Sequence, residues 1–228
     1  MMLECIGLSK TYRMKQAVAG ISLRLEEGKI YGLLGENGSG KTTWMKMIAG
    51  LTKPTSGKII YEGHGLCYSD KAQIAYMSTE PFFYDYMKAA DVRKYYQDFF
   101  DDFSTDRFND MMKKMGLEDS MKVRELSSGM NAKLKIIATL AREAKLYLLD
   151  EPLNGVDYKA REEIVSLILE TAGEGNTFVI STHLLDEIES FVDEAMFIKN
   201  GELLRVVDLE KERIASGRSI TDIYMEIM

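Results

Sequence analysis

The chain has 228 residues, of which 46% are apolar, and a formal net charge of −7. That is enough apolar material for one large domain, or for a domain carrying an inserted subdomain. A duplex-binding domain carries a basic excess to displace counterions, so the acidic balance argues against nucleic acid as a partner.

Met1 to Tyr12 show neither the basic start nor the apolar stretch of a secretory leader. No apolar run approaches the roughly 20 residues that span a bilayer. A soluble, cytoplasmic chain is expected, reaching a membrane only through a partner. Cys5 and Cys67 have no metal-like spacing and form no disulfide framework. Both are expected as buried apolar filler in a reducing compartment.

Ile30–Leu34 is a short apolar run that reads as a strand buried on both faces. A helix is expected over Thr42–Ala49, stopped by Gly50 with Pro54 soon after. Residues near 83–135 are helical in pattern, aromatic and acidic, and contain no strand candidate. A helix over Lys133–Ala141 precedes a second strand, Leu146–Leu149. A third helix is expected over Lys159–Ala172, and a third strand at Phe178–Ile180. Asn200-Gly201 between Met196–Ile198 and Leu203–Val207 is a hairpin signal. A last helix is expected at about Ile220–Met228. The three buried strands each run into a polar cluster: Gly35 to Gly38, Asp150-Glu151, and Ser181-Thr182-His183. Open parallel sheets gather ligand groups at their carboxyl ends, so the three clusters point to one shared site.

Gly35-Glu36-Asn37-Gly38-Ser39-Gly40-Lys41-Thr42 fits the phosphate-loop pattern and sits between a strand and a helix, as that pattern requires. Glycines let backbone N–H groups turn inward around phosphate oxygens, and the helix N-terminus adds positive potential. Lys41 is placed to reach the β- and γ-phosphates, the hydroxyl of Thr42 to ligate Mg²⁺, and Thr43 to line the same loop.

Further motifs narrow the family. Leu126-Ser127-Ser128-Gly129-Met130 is similar to the signature of ABC ATPases and departs from it at Ser128 and Met130. Lys145 to Pro152 resembles that family's strand ending in a metal-shell aspartate and a glutamate. The resemblance covers nearly the whole chain. It implies an α/β fold: a P-loop NTPase parallel-sheet core with an N-terminal antiparallel β part and an inserted helical subdomain. It implies one domain over 1–228, with its core at 1–82 and 136–228 and a helical subdomain at about 83–135. It implies Asp150 in the Mg²⁺ shell, Glu151 as general base and His183 as the residue that contacts the γ-phosphate. Tyr12 becomes the aromatic that stacks on adenine, and Asp157 a residue communicating across a dimer. Ser127 and Gly129 would close over ATP held by another subunit.

ATP hydrolysis is therefore expected at a head-to-tail interface, with ATP and Mg²⁺ as ligands. A second such subunit, a homodimer in preference to a heterodimer, and an integral membrane permease are the expected partners. Transport, in the export direction, is the expected work. The alternative is a non-transport ATPase of this type acting on ribosomes or DNA; the chain is short for the former and lacks long heptads for the latter. Phe83, Tyr84 and Tyr86 are expected to line a groove for a permease helix. Aligning on Tyr76 and Pro81 puts Thr79 where the family has a metal-binding glutamine, with Glu80 beside it.

Overall fold

A computed structural model describes residues 1–227; Met228, the end of the last expected helix, lies outside the described residues. Four antiparallel strands form one sheet: β1 (Leu3–Tyr12), β2 (Lys15–Leu25), β4 (Ser56–Tyr61) and the two-residue β5 (His64–Gly65), in the order β2-β1-β4-β5. A second sheet has six strands. These are β3 (Ile30–Leu34), β6 (Ile74–Met77), β7 (Leu146–Asp150), β8 (Thr177–Thr182), β9 (Glu194–Lys199) and β10 (Glu202–Asp208), in the order β10-β9-β3-β8-β7-β6. All neighbours in it are parallel except β9 and β10. This is the α/β core with an antiparallel β part that the sequence implies.

The continuous apolar runs follow from burial on both faces. Side chains alternate across a strand. Tyr31 and Leu33 of β3, Leu146 and Leu148 of β7, and Val179 of β8 enter a core shared with the antiparallel sheet. Ile30 and Leu34, Tyr147 and Leu149, and Phe178 and Ile180 enter a second core on the other face. Helix α1 (Lys41–Ile48) is packed in the first core through Trp44, Met45, Met47 and Ile48. Each such side chain contributes about 1.5–3 kcal/mol by leaving water, so α1 is fixed relative to both sheets.

The second face carries the remaining helices. Between β6 and β7 come α2 (Ala89–Phe99), α3 (Thr105–Lys114) and α4 (Ser128–Leu140). After β7 come α5 (Tyr158–Thr171), the short α6 (Leu185–Ile188), α7 (Leu209–Ser216) and α8 (Ile220–Ile227). Helix α4 starts well before Lys133, because the Ser127 hydroxyl accepts from Met130 N–H and caps it. Arg142 ties this layer to the sheet edge. Its guanidinium grips the Asp102 carboxylate, donates to the Ile74 and Ala72 carbonyls, and lies over the Phe100 ring.

Two expectations are corrected. Cys5 is buried, and burial pushes its thiol up to about 12, but Cys67 is exposed. Phe83 is buried against Tyr96, leaving Tyr84 and Tyr86 exposed and stacked at 5.4 Å. An aromatic run in an amphipathic layer must feed its own core first, and Phe83 does so.

The hairpin at Asn200-Gly201 has both residues at positive φ (53° and 85°), the conformation that suits the right-handed twist of its strands. Gly201 also receives the neighbouring layers. Its N–H donates to the Ser39 carbonyl at 2.8 Å, and its carbonyl accepts from Ala19 N–H at 2.8 Å. A Cβ there would lie 2.9 Å from the Ala17 carbonyl oxygen. Gly201→Ala should therefore lower stability by at least about 1–2 kcal/mol, the cost of a left-handed non-glycine residue. Urea unfolding checks this: the midpoint should fall with the slope unchanged, and an unshifted midpoint would show that the turn relaxes freely.

Candidate nucleotide site

The loop after β3 is built by close approach. Gly40 has φ 111°, and a Cβ on it would stand 2.5 Å from the Ala17 carbonyl oxygen. A Cβ on Gly35 would stand 2.1 Å from the Ile198 carbonyl oxygen. No side chain fits where the loop threads between β2 and the β9–β10 hairpin. Helix α1 opens on Gly40 with no side-chain cap, which leaves its first-turn N–H groups for an anion. The Ser39 hydroxyl is buried without a protein partner. A cleft of about 440 Å³ lies against the loop, lined among others by Tyr12, Asn37, Gly38, Lys41, Thr42 and Thr43.

Lys41 is only 5% exposed. Its ammonium donates to the carbonyls of Gly35 (2.6 Å) and Glu36 (3.2 Å). It also faces Glu151 Oε1 at 3.4 Å, an ion pair without a well-formed hydrogen bond; Oε1 has no other partner. The second oxygen, Oε2, lies 2.9 Å from His183 Nδ1. Glu151 sits at φ 49°, and its N–H donates to both the carbonyl (3.1 Å) and the hydroxyl (3.0 Å) of Ser181. Left-handed backbone at a bulky residue costs of order 1–3 kcal/mol, so this carboxylate is held by its surroundings.

Asp150 is fully buried. Ser181 Oγ donates to its Oδ1 at 2.6 Å, and the Tyr76 hydroxyl donates to its Oδ2 at 3.3 Å. Burial, and then the Asp150 charge, push the Tyr76 phenol well above its ordinary value, so it stays a proton donor. Two donors on a buried carboxylate offset part of its lost hydration. Neither Tyr76 nor Ser181 stood out as a site residue in the sequence. Ser181 belonged to a polar cluster at a strand end, which was the available signal; Tyr76 lay within an apolar strand and gave none.

The expected site residues fall into two groups. Tyr12, Asn37, Gly38, Gly40, Lys41, Thr42, Thr43 and Glu151 line the cleft, joined by Thr79 and Asn154. Gly35 and His183 bond to Lys41 and Glu151 of that lining, Ser39 and Asp150 are buried beside it, and Glu36 is exposed at the loop. Tyr12 is 45% exposed, with Lys10 Nζ 5.0 Å from its ring centre. Ser127, Gly129 and Asp157 do not line the cleft. They gather where α4 meets α5: Asp157 Oδ1 caps α5 by accepting from Ala160 N–H, and a Cβ on Gly129 would lie 3.2 Å from Asp157 Oδ2. Glu80 does not turn toward Asp150; its carboxylate pairs with Lys46 at 2.9 Å.

Away from the cleft, donor atoms of His64, Cys67 and Asp70 lie within 4.8 Å of one another. Their spacing in the sequence does not point to a metal site. Asp70 is committed to the turn, where its Oδ2 accepts from Cys67 N–H at 2.7 Å.

A family model described as ABC transporter matches residues 18–154. The chain belongs to the ABC transporter family. It is 36% identical over 213 residues to the ABC transporter ATP-binding protein YcbN of Bacillus subtilis, covering 91% of this chain and 69% of that one. It is 35% identical over 213 residues to the lantibiotic transport ATP-binding protein SrtF of Streptococcus pyogenes, covering 92% and 91%. A solved structure of an ATP binding subunit of an ABC transporter superposes with TM-score 0.88 at 25% identity, over 100% of this chain and 99% of that one. The chain is thus an ABC ATPase.

In this ABC subunit the side-chain-free cradle, the orphaned Ser39 hydroxyl and the buried Lys41 cation fit a polyphosphate. Ser181→Ala removes one donor from Asp150 and one acceptor from the Glu151 N–H. Loss of such a supporting partner typically costs roughly 10–100-fold. ATP turnover should fall by about that factor with the fold intact by circular dichroism. Wild-type turnover in Ser181→Ala would remove Ser181 from the site.

Proposed function

We propose that this ABC ATPase is the motor subunit of an exporter, working as a head-to-tail homodimer bound to a separate integral membrane permease at the inner face of the cell membrane. The observation that carries the dimer is the split described above. The cleft holds Lys41, Thr42 and Glu151, while Ser127 and Gly129 lie outside its lining, at the capped start of α4. A second copy supplies those groups from the other side. The similarity to a lantibiotic transport protein supports export. No helix among the described residues is long and apolar enough to cross a membrane.

The chain's own residues suggest the order of events. Before substrate binds, Lys41 and Glu151 neutralise each other at 3.4 Å. The phosphates of ATP compete for the Lys41 ammonium and draw it from Glu151. The freed Glu151 carboxylate then orients and deprotonates the attacking water, with His183 on its Oε2 fixing which oxygen faces the substrate. Backbone N–H groups of the loop and the first turn of α1 hold the β- and γ-phosphates in line. Thr42 and Asp150 are the residues that would hold Mg²⁺, which when bound neutralises charge building on the phosphate oxygens. Tyr12 offers its exposed ring to adenine, a contact worth roughly 1–3 kcal/mol on the scale of base stacking. The γ-phosphate joins the two copies, and its loss releases them.

Glu151→Gln keeps the shape and removes the base. Turnover should fall by about 10²–10⁴-fold. Size-exclusion chromatography should then show a dimer with Mg-ATP and a monomer once ATP is removed. A monomer at saturating ATP would sink the head-to-tail reading, and wild-type turnover would sink the role of Glu151.

Contact with the permease is assigned to the exposed aromatics of the helical layer. Phe82, Tyr84, Tyr86, Tyr95 and Phe99 are exposed, and Tyr84 stacks on Tyr86. Such rings offer large contact area at low entropic cost. Tyr84→Ala with Tyr86→Ala should leave ATP turnover of the free subunit within about 2-fold while weakening co-purification with its membrane partner by about 10-fold or more, a loss typical of hot-spot truncation. Undiminished co-purification would move the docking surface elsewhere.

A further inference from the structure

The family resemblance leaves a gap at Thr79, whose side chain is too short to do the work of a glutamine amide toward a metal. The structure places a different group against the same segment. Lys135, on α4, is half-buried, and its Nζ lies 2.9 Å from the Glu80 carbonyl oxygen, 3.3 Å from that of Thr79 and 3.5 Å from that of Ser78. The ammonium also stands 5.1 Å from the centre of the Phe82 ring. Three carbonyl dipoles and a π face therefore converge on one cation from a single stretch of backbone. No carboxylate takes part: Glu80 turns away to Lys46.

Lys135 and Asn131 share one face of α4, being four residues apart. Together with Thr79, Ser128, Asp150 and Glu151 they line a cavity of about 280 Å³ next to the nucleotide cleft. Thr79, Glu151 and Asn154 line both spaces. The Oδ1 of Asn131 is buried there without a protein partner. Burial lowers the Lys135 pKa, so its charge is kept at a cost, as befits a group retained for its contacts.

We propose that Lys135 is a positioning residue that replaces the missing amide as the link between the nucleotide and the signature helix: it clamps the Ser78–Glu80 backbone to α4, so that Thr79 is presented to the cleft and any shift of that segment is passed to α4 as a rigid body. Helix α4 begins at the Ser127 cap, about two turns from Lys135. Occupancy of one copy's cleft is thereby felt at the residues that close over the other copy's ATP. Lys135 touches no substrate; it acts through Thr79 and through α4. This rests on the nucleotide site and dimer proposed above.

The test uses the full chain with Mg-ATP. Lys135→Met keeps the stem and removes the cation. Its kcat should fall about 10-fold or more while KM and the affinity for ATP stay within about 2-fold, the split expected when binding survives and alignment is lost. The backbone N–H groups of Thr79, Glu80, Phe82 and Phe83 should exchange hydrogen faster. Lys135→Arg keeps a charged donor and should recover at least about half of kcat. Thr79→Gln introduced into Lys135→Met should also restore turnover, because it supplies the amide that the lysine replaces. A role in packing alone predicts no rescue by Thr79→Gln. Unchanged kcat in Lys135→Met overturns the proposal, as does a loss that neither Arg nor Thr79→Gln repairs. If Lys135→Met fails to fold, Lys135→Arg and Thr79→Gln in the wild-type background decide: the proposal requires Lys135→Arg to be active, and an inactive but folded Lys135→Arg overturns it. Dimerisation of Glu151→Gln with ATP is read in parallel, so a failed dimer condemns the functional reading, whereas an intact dimer with unchanged Lys135→Met turnover condemns only the clamp.

Discussion

A lysine ammonium with 5% of its surface exposed cannot stand alone inside a protein. The effective penalty of removing a charge from water is several kcal/mol, even after relaxation. Lys41 offsets it with two loop carbonyls and the Glu151 carboxylate. Each of those partners must then be held in place. The carbonyls of Gly35 and Glu36 face the ammonium because the loop is pinned between Ala17 and the hairpin at Gly201. The Glu151 carboxylate faces it because Ser181 holds the Glu151 backbone in a left-handed turn. Ser181 in turn serves Asp150. One buried cation thus commits three strand ends and a hairpin to a common geometry, and the phosphate-binding shape is the result.

The parallel sheet makes that convergence cheap. β3, β8 and β7 are adjacent, and their registers pair Leu34 with Thr182 and Asp150 with Ser181. Residues just beyond those pairs necessarily meet. The two cores on either face hold the strands so tightly that the polar ends have little freedom to relax. The strain at Glu151 persists because the sheet over-determines it. An acid held between a lysine and a histidine is neutralised but not quenched: Oε1 lacks a hydrogen bond, and a competing anion releases it.

How legible the chain is depends on whether a residue's role is local or distant. The loop over Gly35–Thr42 is readable because the glycines, the lysine and the hydroxyl act within one turn of chain. The hairpin is readable because Asn200 and Gly201 carry its backbone conformation themselves. The three buried strands are readable because both faces are covered and the runs are continuous. Tyr76 is not, since nothing in the four residues of β6 says which side chain meets Asp150 across the sheet. The body of helix α4 is readable from its apolar period after Lys133, whereas Ser128-Gly129-Met130-Asn131 breaks that period and the Ser127 cap alone marks the start. Helix α7 is not readable, because its exposed, charged residues give little apolar period. Phe83 and Tyr84 are neighbours of like chemistry, yet one is core and one is surface; the decision is made by Tyr96, from helix α2. Cys67 was misplaced for the same reason, as exposure is set by the turn it belongs to.

The segment Ser78–Glu80 shows how magnitudes decide which way a structure transmits force. It is held from two sides. Lys46 of α1, the helix that follows the glycine loop, pairs with Glu80, but that carboxylate is 71% exposed. Exposed pairs contribute about 0–1 kcal/mol, and salt screens them. Lys135 of α4 is half-buried and bonds to backbone, where charged hydrogen bonds contribute about 1.5–3 kcal/mol. A backbone contact also leaves only the Lys135 torsions in the link, whereas the pair with Lys46 adds those of the Glu80 side chain. The stronger and stiffer attachment is therefore to α4. Helix α1 is fixed by its packing in the core between the sheets, so in the coupling proposed above the weaker link to Glu80 is the one that gives way when the cleft fills. The segment then moves with the helical layer and the start of α4. On that proposal the coupling runs through the peptide backbone beside Thr79, which is why a short side chain is tolerated at a position where reach would otherwise be required.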